Sequence, residues 1–247
     1  MKMLRNLFLS ITVASACTSL WAAPALKSQQ GLLIEQHSGL VGDEKIYITK
    51  DACKLVCEKS HFTMMMKAPD WNIVFFSDKS KMIYKTDIAH WKGDVCFAVS
   101  LVNFGRFNRL RPVSSQKENY AGAQCTVLTM RGSAPPEPFT DPTAVEFGNV
   151  VYAKYWLAEG LPVSQKAVTA ICKTFRVPDQ KKLPLRLFFI NDNQKRKNEL
   201  TTEHVTKVSF PQDVFQIPTG YKTASGEKQV LLMDPMRQSF LEDLAGE

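Results

Sequence analysis

From Leu32 onward the chain is built mostly from short apolar runs separated by polar turns. Lys45-Ile46-Tyr47-Ile48-Thr49 alternates apolar and polar positions, the period of a half-buried strand. Leu32-Leu33-Ile34 precedes it across a turn through His37-Ser38-Gly39 and Gly42-Asp43. His61 to Met66 follows. Asn72 to Phe76 and Lys81 to Lys85 are joined by Ser77-Asp78-Lys79-Ser80 and predict an antiparallel hairpin. Asp87 to Trp91 is expected as a short helix, Val95 to Val102 as a strand, and Gln124 to Met130 as another. Asn103 to Gly122 is basic and turn-rich, an exposed loop or a long hairpin.

The second half continues the pattern. Asn149 to Leu157 reads as a long strand. Ser164 caps the best helix, in which Val168, Ile171, Cys172 and Phe175 recur at helical spacing up to Pro178. Pro184 to Ile190 is a strand, Asn191-Asp192-Asn193 its turn and Glu203 to Phe210 its expected partner. Pro211 to Val214 is one helical turn, and an amphipathic helix is expected over Pro235 to Leu244. Many antiparallel strands with two or three helices imply a sheet whose apolar face the helices must cover.

The first residues change the setting. Lys2 and Arg5 precede the apolar run Leu7 to Ala16, and Ala23-Pro24-Ala25 is a small-x-small cleavage site. That is the layout of a secretory signal peptide over residues 1–25, and the run is too short for a membrane span. The expectation is a periplasmic protein with one domain over 26–247 and a Pro-rich loop at 132–142. The alternative is a membrane-anchored lipoprotein, since Val13-Ala14-Ser15-Ala16 before Cys17 suits lipidation of that cysteine.

The chain has 247 residues, 45% hydrophobic and 22% charged, enough for a sizeable core. Its net charge is +7, and Lys2 and Arg5 supply two of those charges. The surplus fits an anionic membrane surface as partner, or plain solubility. Nucleic acid is not expected, because no basic–aromatic platform for single strands is evident. Of the six cysteines, Cys96 and Cys125 flank the basic segment and are a candidate bridge.

The closing stretch carries a family likeness. Tyr155-Trp156-Leu157, a helix, Leu183-Pro184-Leu185-Arg186-Leu187, Val205-Thr206-Lys207-Val208 and finally Phe215-x-x-Pro218-x-Gly220-Tyr221-Lys222 resemble the end of LolA-like proteins, the outer-membrane lipoprotein carrier superfamily and its secreted relatives. Ile46-Tyr47-Ile48 and the hairpin from Asn72 to Tyr84 resemble their first meander. The resemblance implies an α+β, mainly antiparallel fold: a curved, unclosed β-barrel with helices covering the concave face and an apolar cavity between. The basic segment Asn103 to Gln116 and the cysteines depart from the carrier pattern.

The residues themselves offer a lining for such a cavity. Met64, Met65 and Met66 lie near Trp71, Ile73, Phe75 and Phe76, and methionine adapts to irregular apolar guests. The expected cavity residues are Met64, Met66, Trp71, Ile73, Phe75, Tyr84, Tyr155 and Trp156; ordinary core is the alternative for all of them. The function expected is non-enzymatic binding of lipid or lipoprotein acyl chains, without a cofactor. The alternatives are a cell-envelope structural or interaction protein with a filled core, and a metal-handling protein. The last rests on Cys53, Cys57 and His61, whose i, i+4, i+8 spacing shares one stripe on a helix. No Gly-x-Ser-x-Gly elbow or His-Glu-x-x-His pair is present.

Overall fold

The computed structural model describes residues 28–39, 41–93, 107, 109–132 and 149–232. The expected signal segment 1–25 with Cys17, the strand at 95–102 with Cys96, the Pro-rich loop beyond Gly132 and the helix at 235–244 lie outside the described residues.

Among the described residues, period-two patterning becomes one unclosed sheet of twelve strands. A first meander contains β1 (Ser28–Ser38), β2 (Gly42–Ile48), β3 (Ala52–Cys57), β4 (Phe62–Lys67), β5 (Ile73–Ser77) and β6 (Met82–Thr86). The second half adds β7 (Leu110–Tyr120), β8 (Ala123–Gly132), β9 (Val150–Ala158), β10 (Pro184–Asn191), β11 (Arg196–Pro211) and β12 (Lys222–Thr223). Their order is β12-β6-β5-β4-β3-β2-β1-β11-β10-β9-β8-β7. All pairs are antiparallel except β12 with β6. The long strand β11 joins the halves, pairing with β10 through Arg196 to Thr201 and with β1 through Leu200 to Pro211.

The curved sheet has a covered inner face. Helix α1 (Gln165–Phe175) is capped by Ser164, whose hydroxyl accepts from the Lys166 N–H at 3.2 Å. It stops where Arg176 turns left-handed and the Val177 N–H returns to the Cys172 carbonyl. Its buried side, including Val168, Ile171, Thr174 and Phe175, lies over the inner face. A shorter helix α2 (Glu227–Leu232) packs Val230 and Leu231 into the same core. The outer face has a smaller core, in which Met65, Val74 and Phe76 meet Phe210 and Phe215. The 3₁₀ turn Gln212–Phe215 is tied there by Lys54 and Lys67, which donate to the Val214 and Phe215 carbonyls.

Three expectations change and one open alternative is decided. Glu203 to Phe210 pairs with β1 rather than with Pro184 to Ile190, because the short β10–β11 turn sets Arg196 opposite Ile190. Asp87 to Trp91 is one turn, not a helix: the Asp87 carboxylate caps the Ala89 and His90 N–H groups, and the Trp91 N–H reaches the Asp87 carbonyl. The described part of Asn103 to Gly122 is the hairpin alternative, closed by Ala121 and Gly122, both with positive φ. Cys53 and Cys57 lie on β3, about 13 Å apart along an extended strand, and His61 is an exposed turn residue. The helical stripe that would gather them for a metal therefore does not form, and no metal-binding cluster of three such side chains occurs among the described residues.

Candidate functional site

The inner face of the first meander is organised in transverse rows, because residues directly paired across neighbouring strands share a face. One row runs Ile34, Ile46, Leu55, Met64, Phe75, Tyr84. The next runs Leu32, Ile48, Cys53, Met66, Ile73. On the other side a more polar row runs Gln36, Glu44, Cys57, Phe62. Phe62, Phe75 and Trp91 stack in sequence, with centroids 5.0 and 5.5 Å apart. Thr174 of α1 sets its hydroxyl 3.6 Å from the Met64 sulfur while donating to the Ala170 carbonyl.

The predicted cavity residues sort by position. Met64, Met66, Ile73, Phe75 and Tyr155 are buried in this inner core. Trp71 and Tyr84 pack on it only partly buried, at its rim. Tyr155 donates its hydroxyl to the Pro178 carbonyl at 2.9 Å, just past α1. Trp156 is set apart: as the next residue on β9 it faces the opposite way, under the Arg186 guanidinium at 4.8 Å, with its indole N–H on Glu118 at 3.1 Å. Met65 likewise belongs to the outer core. Seven of the eight thus lie in the inner core or at its rim. Met64, Ile73, Phe75 and Tyr155 expose 0% of their surface, so the floor is closed, with Thr174 of α1 set against Met64.

Two groups in this region escaped the sequence reading. Trp91 is 1% exposed, and its indole N–H has no partner. Glu44 is buried, and neither of its carboxylate oxygens has a hydrogen-bond partner. Burial, and secondarily the Asp43 charge, holds its carboxyl well above the usual range. The signal for Glu44 lay in counting back by two from Ile46.

At the far end of the inner face, Glu159 accepts from Lys117 at 2.5 Å, Lys182 at 2.6 Å and the Thr126 hydroxyl. These bonds pull its carboxyl down to about 2. The lysines are consumed by the carboxylate, which makes this a strap joining β7, β8 and the strand ends rather than an open site.

No family model matches the chain, and no curated protein matches it. Among solved structures it is similar to an uncharacterized conserved protein from Thermus thermophilus, with 7% identity over 79% of this chain and 90% of that one and a TM-score of 0.32. It is also similar to Pseudomonas aeruginosa MucB, solved in complex with MucA, with 12% identity over 81% and 59% and a TM-score of 0.34. The chain thus spans little more than half of MucB. The LolA superfamily protein NE2245 from Nitrosomonas europaea aligns with 9% identity over 78% and 91% and a TM-score of 0.23. A member of the superfamily that the sequence resembles is therefore among the structural matches. At these TM-scores the matches carry no argument about activity.

Proposed function

We propose that this is an exported, non-enzymatic binding protein that takes an acyl chain of a lipid or lipoprotein between its sheet and α1. The observation that carries the reading is the floor of Met64, Met66, Ile73 and Phe75 roofed by a helix that shares no backbone ladder with it. Helix and floor meet through side chains, while Lys166 and Lys173 hold α1 to the carbonyls of Asp70, Ile88 and Trp91. Lifting α1 breaks these few bonds and leaves every strand pairing intact. A guest chain then replaces the apolar contacts of Thr174 and Phe175, at about 25 cal/mol per Å² of apolar area buried. Adaptable methionines suit guests of no fixed shape. No helix among the described residues is long and apolar enough to cross a membrane.

The closed floor favours a second reading, an envelope interaction protein whose core is simply filled. Titration with the fluorescent fatty acid cis-parinaric acid, combined with hydrogen exchange, separates the two. The carrier reading expects saturable uptake, together with faster exchange of the α1 amides and unchanged protection of β3 to β5. Absence of uptake, or uptake that leaves α1 exchange unaltered, rejects the carrier and leaves the filled-core reading.

A further inference from the structure

We propose that the outward face of β7 to β11 is a docking surface for an anionic phospholipid membrane. Register, rather than composition, gathers its charge. Arg111, Arg131, Tyr152, Ile190 and Arg196 stand in one transverse row. Two positions along, Thr129, Lys154, Phe188 and Asn198 form the next. A third contains Gln116, Val127, Trp156, Arg186 and Thr201. The inner-face partners Ala153, Tyr155, Leu187 and Phe189 are buried, so these rows lie on the other face, although Val127 and Trp156 of the third row are themselves buried, Trp156 beside Tyr120.

Among the described residues, this face holds five cations, Arg111, Arg131, Lys154, Arg186 and Arg196, against two carboxylates, Glu118, which is engaged by the Trp156 indole, and Glu203, exposed at the β11 bulge. The outward face of β1 and β2 is different, for there Glu35 and Asp43 accompany His37 and Lys45. The outward face of β7 to β11 thus has a positive surplus that the outward face of β1 and β2 lacks. The patch extends about 20 Å across five strands and about 13 Å along them. Arg131 and Arg196 are exposed and Lys154 half-buried.

The chemistry fits headgroups better than a pocketed anion. The cations are spread over a broad face, as a lattice of lipid phosphates requires, and do not converge on one point. Between them lie half-buried Tyr152, Phe188 and Ile190 and the Arg186–Trp156–Tyr120 stack. Amphipathic aromatic rings beside cations are the composition that settles at a membrane interface. The proposal stands apart from the acyl-binding reading, since docking needs no guest under α1.

Sedimentation of the whole protein with vesicles of phosphatidylcholine and phosphatidylglycerol at three to one, in low salt, tests it against vesicles of phosphatidylcholine alone. The expected result is binding to the anionic vesicles only, weakened by added salt. Arg131→Gln/Lys154→Gln/Arg196→Gln should lower partitioning about a hundredfold. Lys50→Gln/Lys59→Gln/Lys85→Gln removes equal charge from exposed positions elsewhere and should lower it far less. The proposal is overturned by equal binding to both vesicle types, by no binding to either, or by equal loss in the two variants. An acidic protein partner for this face would produce the second of these outcomes. Uptake of cis-parinaric acid should be the same in both variants, so a failure of docking is distinct from a failure of acyl binding.

Discussion

Glu44 and Gln36 stand directly opposite each other on β2 and β1, and the carboxyl of one and the amide oxygen of the other both lack hydrogen-bond partners. A buried carboxylate beside a bare acceptor is unfavourable, whereas a protonated acid supplies a donor at that place.

The sign of the pH dependence follows. The folded carboxyl binds its proton more tightly than the unfolded one, because burial and then Asp43 raise it. Its contribution to stability is complete below the ordinary carboxylate range and is lost as pH rises through the folded value. The groups beside it are Asp43 on its own strand, Gln36 on β1 and Cys57 on β3. Glu44→Gln supplies a permanent amide donor. Urea unfolding at pH 5 and pH 8 should show a gain of roughly 1 to 3 kcal/mol for the variant at pH 8 and a much smaller difference at pH 5. Equal effects at the two pH values would assign Glu44 no part in the dependence.

Gly93 approaches the end of α1 so closely that an added Cβ would lie 2.6 Å from the Lys173 carbonyl oxygen, and its φ is +69°. The same lysine's ammonium group ties the Ile88 and Trp91 carbonyls. Gly93→Ala therefore combines left-handed strain with a backbone clash and should cost at least about 1 to 3 kcal/mol. Gly220 has φ +79° with open space around it. Gly220→Ala isolates the conformational part and should cost about 1 kcal/mol. Thermal unfolding of the pair gives the contribution of close packing as the difference.

The meander from Ile46 to Tyr84 was legible because each strand alternates cleanly and each turn is marked by Ser, Asp, Lys or Gly. Register was not. Nothing local in Glu203 to Phe210 distinguishes β1 from β10 as its partner, since both are apolar and antiparallel; the length of the 192–195 turn decides. Glu44 was hidden because Gly42-Asp43 reads as a polar turn and the visible alternation begins only at Lys45, while pairing extends β2 back to Gly42 and sends every second side chain inward. Cys53 to His61 fits two periods equally well, and the ladder with β2 and β4 selects the strand.

Met64 and Met65 are both 0% exposed, yet they occupy opposite cores. Truncation to alanine should cost each about 2 to 5 kcal/mol, since each leaves a cavity in a packed interior. Their effect on binding should differ. Met64→Ala opens space beneath Thr174 and should strengthen uptake of cis-parinaric acid, whereas Met65→Ala lies under Phe210 and Phe215 and should leave uptake unchanged. Identical titrations for the two variants would remove the floor of β4 from the proposed site.

The thiols yield a last prediction, on reactivity. Cys53, Cys125 and Cys172 are buried free thiols; the expected partner of Cys125, Cys96, lies outside the described residues. Burial pushes Cys53 up to about 12 and Cys125 up to about 11, the latter aided by the Glu118 and Glu159 carboxylates, and raises Cys172 as well. At pH 8 almost none of the Cys53 or Cys125 side chains is a thiolate. Only the thiolate attacks an alkylating agent. Brief iodoacetamide treatment of the native protein, followed by peptide mapping, should therefore leave all three unmodified, while treatment in guanidinium chloride labels them fully. Rapid native labelling of Cys172 would show that α1 leaves the sheet on the timescale of alkylation, since that thiol faces the Tyr155 side of the covered core.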